Sequence, residues 1–229
     1  MSRTLLGWLA LMMIVMGSIG IALGWRAMQT GKSGSSSEPD YRKVPDSASA
    51  KWLKGFTLTE RSGKRVSSDD LQGKVYVTNF FFSTCPGPCL TQNKKFEEIQ
   101  LQYADKGVQF LSISCDPEVD DPGRLRGYAQ KFDVKGDSWW FLTGDLTYIR
   151  RIAAEVYEVM LDKQTHTGHF IVTDKWGTRR GAFVWNEPAQ MTDMKSLLDK
   201  LLVEKNPPPV EATPKAEIKE PDGDPEEGK

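Results

Sequence analysis

Phe80-Phe81-Phe82-Ser83-Thr84-Cys85-Pro86-Gly87-Pro88-Cys89 places two cysteines, with three residues between them, directly after a run with the composition of a buried strand. Pro86 pushes Cys85 out of the α region, and Pro88 does the same to Gly87, so the intervening residues form a tight loop. Pro88 suits the first position of a helix, where its missing N–H costs nothing. Cys89 then falls in the first turn, near the positive end of the helix dipole, which favours thiolate over thiol. A strand–loop–helix presenting two low-pKa thiols at one edge is a redox or soft-metal site. Cysteines serving only as small core hydrophobes would need no Pro-Gly-Pro between them.

Outward from this loop the chain alternates strands and helices. Val75 to Phe82 is nearly continuously apolar, as in a central strand covered on both faces. The helix after Cys89 repeats Phe96, Ile99 and Tyr103 on one face. Val108 to Ser114 reads as a second buried strand. Asp121-Pro122 is an N-cap and N1 pair opening a helix with Leu125, Tyr128, Ala129 and Phe132 inward. Trp139 to Leu142 is a short strand, and Asp145 caps a helix with Ile149, Ile152, Ala153 and Val156 inward. Phe170 to Thr173 and Ala182 to Trp185 bracket Lys175-Trp176-Gly177 in a closing hairpin. Met194, Leu197, Leu198 and Leu201 stripe a last helix. Upstream, Phe56 to Thr59 and Lys64 to Val66 flank the turn signal Ser62-Gly63. The order hairpin, β-α-β-α-β-α, β-β-α predicts an α/β sheet with helices on both faces. With a paired-cysteine loop after the central strand, the expected class is a thioredoxin-like fold with an N-terminal hairpin extension, over residues 51–204.

The flanks differ from this domain. Of 229 residues, 27% are charged and the net charge is −1, so no basic excess points to nucleic acid. Three cysteines exclude a disulfide framework and leave one pair and the singleton Cys115. Leu5 to Trp25 carries no charge and, at about twenty residues, is long enough for ~30 Å of hydrocarbon. It is expected to be an uncleaved transmembrane helix within residues 1–27, holding the protein to membrane lipid; a cleaved signal peptide is the rival. Arg3 lies before it, and Arg26 and Lys32 after it, so charge alone leaves its orientation open. Residues 28–50 are rich in Ser, Gly, Asp and Lys and read as a flexible tether. Residues 205–229 are dominated by proline and acidic side chains and read as a disordered tail.

The two histidines of the chain, His166 and His169, lie in Gln164-Thr165-His166-Thr167-Gly168-His169-Phe170, just before the strand Phe170 to Thr173. In a thioredoxin-like fold that entry loop faces the cysteine loop across the end of the sheet. The donors within reach are then two sulfurs and at least one imidazole. Soft thiolates select Cu(I), and an added imidazole makes the site acceptable to Cu(II). An exposed polar loop is the plainer alternative.

These residues carry a resemblance to the SCO/SenC copper proteins, covering most of 51–204. FTLTERSGKRVSSDDLQGKVYVTNFFFSTC (56–85) resembles the family's opening through its first metal cysteine. Cys85 and Cys89 fall on its C-x-x-x-C, SISCDPEVDDP (112–122) on its S-V-D-P-E-x-D-x-P, and WWFLTGD (139–145) on its W-x-L-T-G. Counting back from Trp176-Gly177, which falls where the family has Asp-Gly, puts His166-Thr167 on the ligand histidine and its following Ser/Thr. His169 has no assigned counterpart. The resemblance implies copper, as Cu(I) or Cu(II), on Cys85, Cys89 and His166. It also implies a metallochaperone that delivers copper to, or maintains the thiols of, the copper site of cytochrome c oxidase during assembly. The implied partner is the oxidase subunit carrying the dinuclear copper site, or another copper protein. The implied location is the bacterial inner membrane, single-pass, with the domain facing the periplasm or cell exterior. Three departures stand out: Leu90 where the family usually has Pro, Thr165 where an Asp often precedes the histidine, and Cys115 where Val is frequent. Cys115 reads as a small buried residue or as a third thiol near the site.

Competing functions remain open. A copper carrier breaks no bond in an organic substrate and is not an enzyme. A thiol–disulfide oxidoreductase would use one cysteine to attack and the other to resolve. Such reductases resemble one another in a two-residue spacer and a cis-proline, where this chain has a three-residue spacer and Thr165-His166. A structural zinc site recruiting His169 ranks last, because only Thr167 and Gly168 separate the histidines.

Overall fold

The computed structural model describes residues 41–45, 53–165 and 167–208. The expected anchor Leu5 to Trp25, His166, and most of the tether and of the acidic tail lie outside them. No helix among the described residues is long and apolar enough to cross a membrane.

Seven strands form one mixed sheet: β1 (Thr57–Glu60), β2 (Arg65–Ser67), β3 (Tyr76–Phe81), β4 (Gln109–Ser114), β5 (Trp139–Thr143), β6 (His169–Thr173) and β7 (Arg179–Val184). The helices are α1 (Pro88–Tyr103), α2 (Pro122–Ala129), α3 (Leu146–Glu155) and α4 (Pro188–Val203). Across the sheet the order is β2-β1-β5-β4-β3-β6-β7, with β3, β4 and β5 parallel and the other neighbours antiparallel. The N-terminal hairpin therefore extends the sheet beyond β5. Gly63 (φ 90°) makes its turn, in the left-handed region that a Cβ disfavours. Ser67 and Asp70 then close a capping box over a 3₁₀ turn, Ser68–Leu71, that leads toward β3.

The chain steps the same way across the sheet from β3 to β4 and from β4 to β5. Right-handed crossovers then put α1 and α2 on one face. Their buried Phe96, Ile99, Leu125 and Tyr128 share a core there with Met191, Met194, Leu198 and Leu201 of α4. The opposite face is covered by α3, whose Tyr148, Ile149 and Ile152 pack with Phe56, Leu58, Phe80 and Ile113. Every residue of β3 is buried. Val77 and Phe81 face the three-helix side, and Tyr76 and Phe80 face α3, as the two-residue period of a strand requires.

Phe96 fixes α1 on the sheet. Its ring centroid lies 5.1 Å from Phe110, 5.4 Å from Trp139 and 4.8 Å from Phe170, so one side chain contacts β4, β5 and β6. A buried polar chain fixes its rotation. Asn79 Nδ2 donates to Asn93 Oδ1 (2.7 Å), and Asn93 Nδ2 donates to the Tyr128 hydroxyl (3.2 Å). These contacts set the position of the helix whose first turn carries Cys89.

One part of the expected tether is tied to the domain. The Tyr41 hydroxyl donates to the Pro117 carbonyl (2.8 Å), and Thr59 Oγ1 donates to the Tyr41 carbonyl (3.0 Å). The stretch 28–50 is therefore not free throughout.

Candidate metal centre

The cysteine half of the site is made of backbone. Cys85 sits in the loop after β3, Gly87 is the N-cap of α1, and Pro88 is its first residue. The Cys89 N–H, one of the donors a helix start leaves unpaired, reaches Cys85 Sγ at 3.5 Å. The helix end thus closes on the Cys85 sulfur. Cys85 is half-buried, whereas Cys89 is 1% exposed.

That difference corrects the expectation of two low-pKa thiols. Burial pushes the Cys89 thiol far above its ordinary value, and the neighbouring Cys85 and Cys115 push in the same direction against one backbone hydrogen bond from Phe82. A helix dipole is worth about 0.3–1 kcal/mol, under one pKa unit. Full desolvation of a thiolate is worth several. Being in the first turn cannot compensate for facing the core.

The histidine half is a loop. Because β6 runs antiparallel to β3, with Val77 opposite Val172 and Thr78 opposite Ile171, the start of β6 lies at the end of β3 that carries the cysteine loop. His166 itself lies outside the described residues, but Thr165 and Thr167 flank it. His169 opens β6, and its Nδ1 contacts the Thr167 carbonyl. Phe170 and Val172 face the cysteine side of the sheet and Ile171 the other. Alternation puts His169 on the side of Ile171, away from the cysteines.

A third segment touches both halves, and its acidic members went unrecognised as site residues in the sequence. Asp120, fully buried, accepts through Oδ2 from the Ser83 N–H of the cysteine loop (2.9 Å) and from Ser114 Oγ (2.6 Å). Cys115 Sγ donates to the Thr165 carbonyl (3.1 Å), and the Gln164 N–H donates back to the Cys115 carbonyl (3.4 Å). Gln164 Nε2 donates to Asp116 Oδ2 (2.8 Å), and Lys163 pairs with Glu118. Burial raises the Cys115 thiol to about 12, so it remains a neutral donor. The signal was present in Ser112-Ile113-Ser114-Cys115-Asp116-Pro117-Glu118-Val119-Asp120: of three acids directly after a buried strand, those that are buried, Asp116 and Asp120, need partners. One turn beyond Cys89 on α1, the buried Gln92 amide has no hydrogen-bond partner among the described residues, leaving a polar donor and acceptor unspent.

The comparisons with known proteins bear on this arrangement. The SCO1/SenC family model matches residues 45–192. The chain is 31% identical over 111 residues to a SCO1 protein homolog of Bacillus subtilis, covering 47% of this chain and 58% of that protein. It is 30% identical over 83 residues to the thiol-disulfide oxidoreductase ResA of Bacillus cereus, covering 36% of this chain and 47% of ResA. The chain thus spans about half the length of these curated relatives. Among solved structures, BsSco, described with a disulfide switch and as a member of the Sco family of cytochrome c oxidase assembly proteins, superposes with a TM-score of 0.61 at 25% identity. That match covers 67% of this chain and 95% of BsSco. Copper-bound ScoI of Bradyrhizobium japonicum superposes with a TM-score of 0.50 at 26% identity, covering 62% of this chain and 96% of ScoI. By fold and by a family match running from Pro45 to Thr192, this chain belongs to the SCO1/SenC family of thioredoxin-like proteins.

Proposed function

We propose that this protein binds copper through Cys85, Cys89 and His166 and passes it to the copper site of cytochrome c oxidase, or of another copper protein, during assembly. The reading is supported above all by the pairing of Cys85 with Cys89 at the sheet end that also receives the segment on either side of His166. The donor chemistry fits the cargo. Two thiolates suit Cu(I), and one imidazole admits Cu(II). Half-burial of Cys85 leaves a side from which an acceptor's Cys or His can enter. Transfer is then ligand exchange, in which an acceptor ligand binds before Cys85 leaves. Both thiols must shed their protons as the metal enters. Leu5 to Trp25 would hold the domain at the bacterial inner membrane, facing outward, with the part of the tether ahead of Tyr41 giving it reach.

One observation favours a second reading. Cys85 is half-exposed and Cys89 buried, the asymmetry of an attacking and a resolving thiol, and ResA is among the relatives. In that chemistry the Cys85 thiolate attacks a substrate disulfide, and one substrate sulfur leaves as thiol. Cys89 then displaces the other, leaving a Cys85–Cys89 disulfide and a doubly reduced substrate.

Titrating the full chain with Cu(I) and Cu(II), beside an assay of model-disulfide reduction, separates the two. The carrier reading expects one copper per chain and slow reduction. Fast turnover with no copper retained, lost in Cys85→Ser or Cys89→Ser, would falsify it.

A further inference from the structure

The residue before His166 is fastened by a side chain with no part in the ligand set. We infer that Cys115 is a positioning residue for the metal centre: by donating its thiol proton to the Thr165 carbonyl, it straps the histidine segment to the end of β4. This rests on the copper reading for its purpose, though not for its geometry.

Three observations converge on the strap. Cys115 has no exposed surface, and its sulfur lies 3.1 Å from the Thr165 oxygen, within the range of a sulfur donor. The same residue's carbonyl accepts from Gln164 (3.4 Å), so Cys115 grips two consecutive residues of the segment. Gln164 adopts φ 54°, left-handed backbone for a residue with a Cβ, a conformation that persists only where its surroundings over-determine it. The Gln164 amide on Asp116 (2.8 Å) and the Lys163–Glu118 pair add to that determination from the same turn. Cys115 is itself anchored, its N–H donating to the Phe81 carbonyl (2.8 Å) as β4 leaves the sheet beside β3. The strap therefore runs from the strand that leads into the cysteine loop to the residue preceding His166. A small apolar residue would fill the same space but has no proton to give. Thr165, in turn, accepts through its backbone carbonyl, so its side-chain identity is immaterial to this contact.

The test compares Cys115→Val, which keeps bulk and loses the donor, with Cys115→Ser, which keeps a donor. Gln164→Ala removes a second fastener from an exposed position and cannot empty the core. Amide exchange is measured on the metal-free full chain, with β4 amides as the folding control. The Gln164 amide should exchange about fivefold faster in Cys115→Val, the scale of one weak hydrogen bond. It should return toward wild type in Cys115→Ser and move less in Gln164→Ala. In copper titrations Cys115→Val should weaken Cu(II) by about fivefold, in step with the exchange change, while Cu(I) on the two thiolates stays within about twofold. Unchanged exchange in Cys115→Val with β4 intact overturns the strap whatever copper does. Loss of Cu(I) as complete as in Cys85→Ser makes Cys115 a ligand and overturns it too. If the wild type takes up no copper, the carrier reading fails, and the exchange arm still decides whether the strap exists.

Discussion

The two halves of the candidate site are built differently. The cysteine half hangs on a buried strand and the first turn of a helix, and its geometry is carried by backbone: Pro86, Gly87, Pro88 and the Cys89 N–H aimed at Cys85. The histidine half is a loop, fastened by side chains of the turn after β4 and by its own Asp162–Thr165 bonds. A half set on a strand and a helix yields first to loss of core and only secondarily to loss of a buried polar contact such as Asp120 with Ser83. A half made of side-chain straps does the reverse.

Removing a thiol is the severest way to break this contrast. Cys85→Ser and Cys89→Ser should each lose both oxidation states of copper in a titration read by bound metal. Retention of tight Cu(I) by either variant would mean that the pair does not act together.

Next comes the core beneath the cysteine half. Phe96→Ala removes the ring that joins α1 to β4, β5 and β6 and should cost about 3–5 kcal/mol in chemical denaturation. A loss under ~1 kcal/mol would show that α1 is not fixed there.

The histidines sharpen the other half. His166→Ala should lose the thiolate-to-Cu(II) charge-transfer band while Cu(I) stays bound less tightly, and His169→Ala should change neither. The reverse pattern would put the wrong histidine in the site, despite His169 lying on the Ile171 side of β6.

The smallest effect is a pH response confined to the histidine half. Arg150 and the Lys163 N–H hold the Asp162 carboxyl below the usual range. A depressed carboxyl stabilises the fold above its unfolded pKa of about 3.9 and loses that contribution as pH falls through the folded value. In the metal-free protein, amides of residues 162–165 should lose protection at acid pH before those of α1. Equal loss in both halves would contradict separate fastening.

The hydrophobic patterns of β3, α1, α2, α3 and α4 were readable because burial on one side of a helix leaves a repeat and burial of both faces of a strand leaves a continuous apolar run. Asp121 and Asp145 announced their helices as N-caps, and both accept from the expected backbone amides. The Cys85-Pro86-Gly87-Pro88-Cys89 loop was readable because proline fixes dihedrals locally. The thiol energetics were not. A first-turn position says nothing about which way a side chain faces, and Cys89 faces the core.

By itself the sequence determined the element order, the C-x-x-x-C loop opening a helix and the neighbourhood of the histidines in the chain, all of which depend on near neighbours. Only the tertiary structure decided that Cys89 is the buried thiol and Cys85 the accessible one. It alone showed that His169 follows the far side of β6, that Asp120 holds the cysteine loop, and that Cys115 reaches Thr165 across a gap of 50 residues. Which of two neighbouring thiols is accessible, and which distant segments hydrogen-bond, leave no period in the sequence, because they depend on which strands the sheet sets side by side.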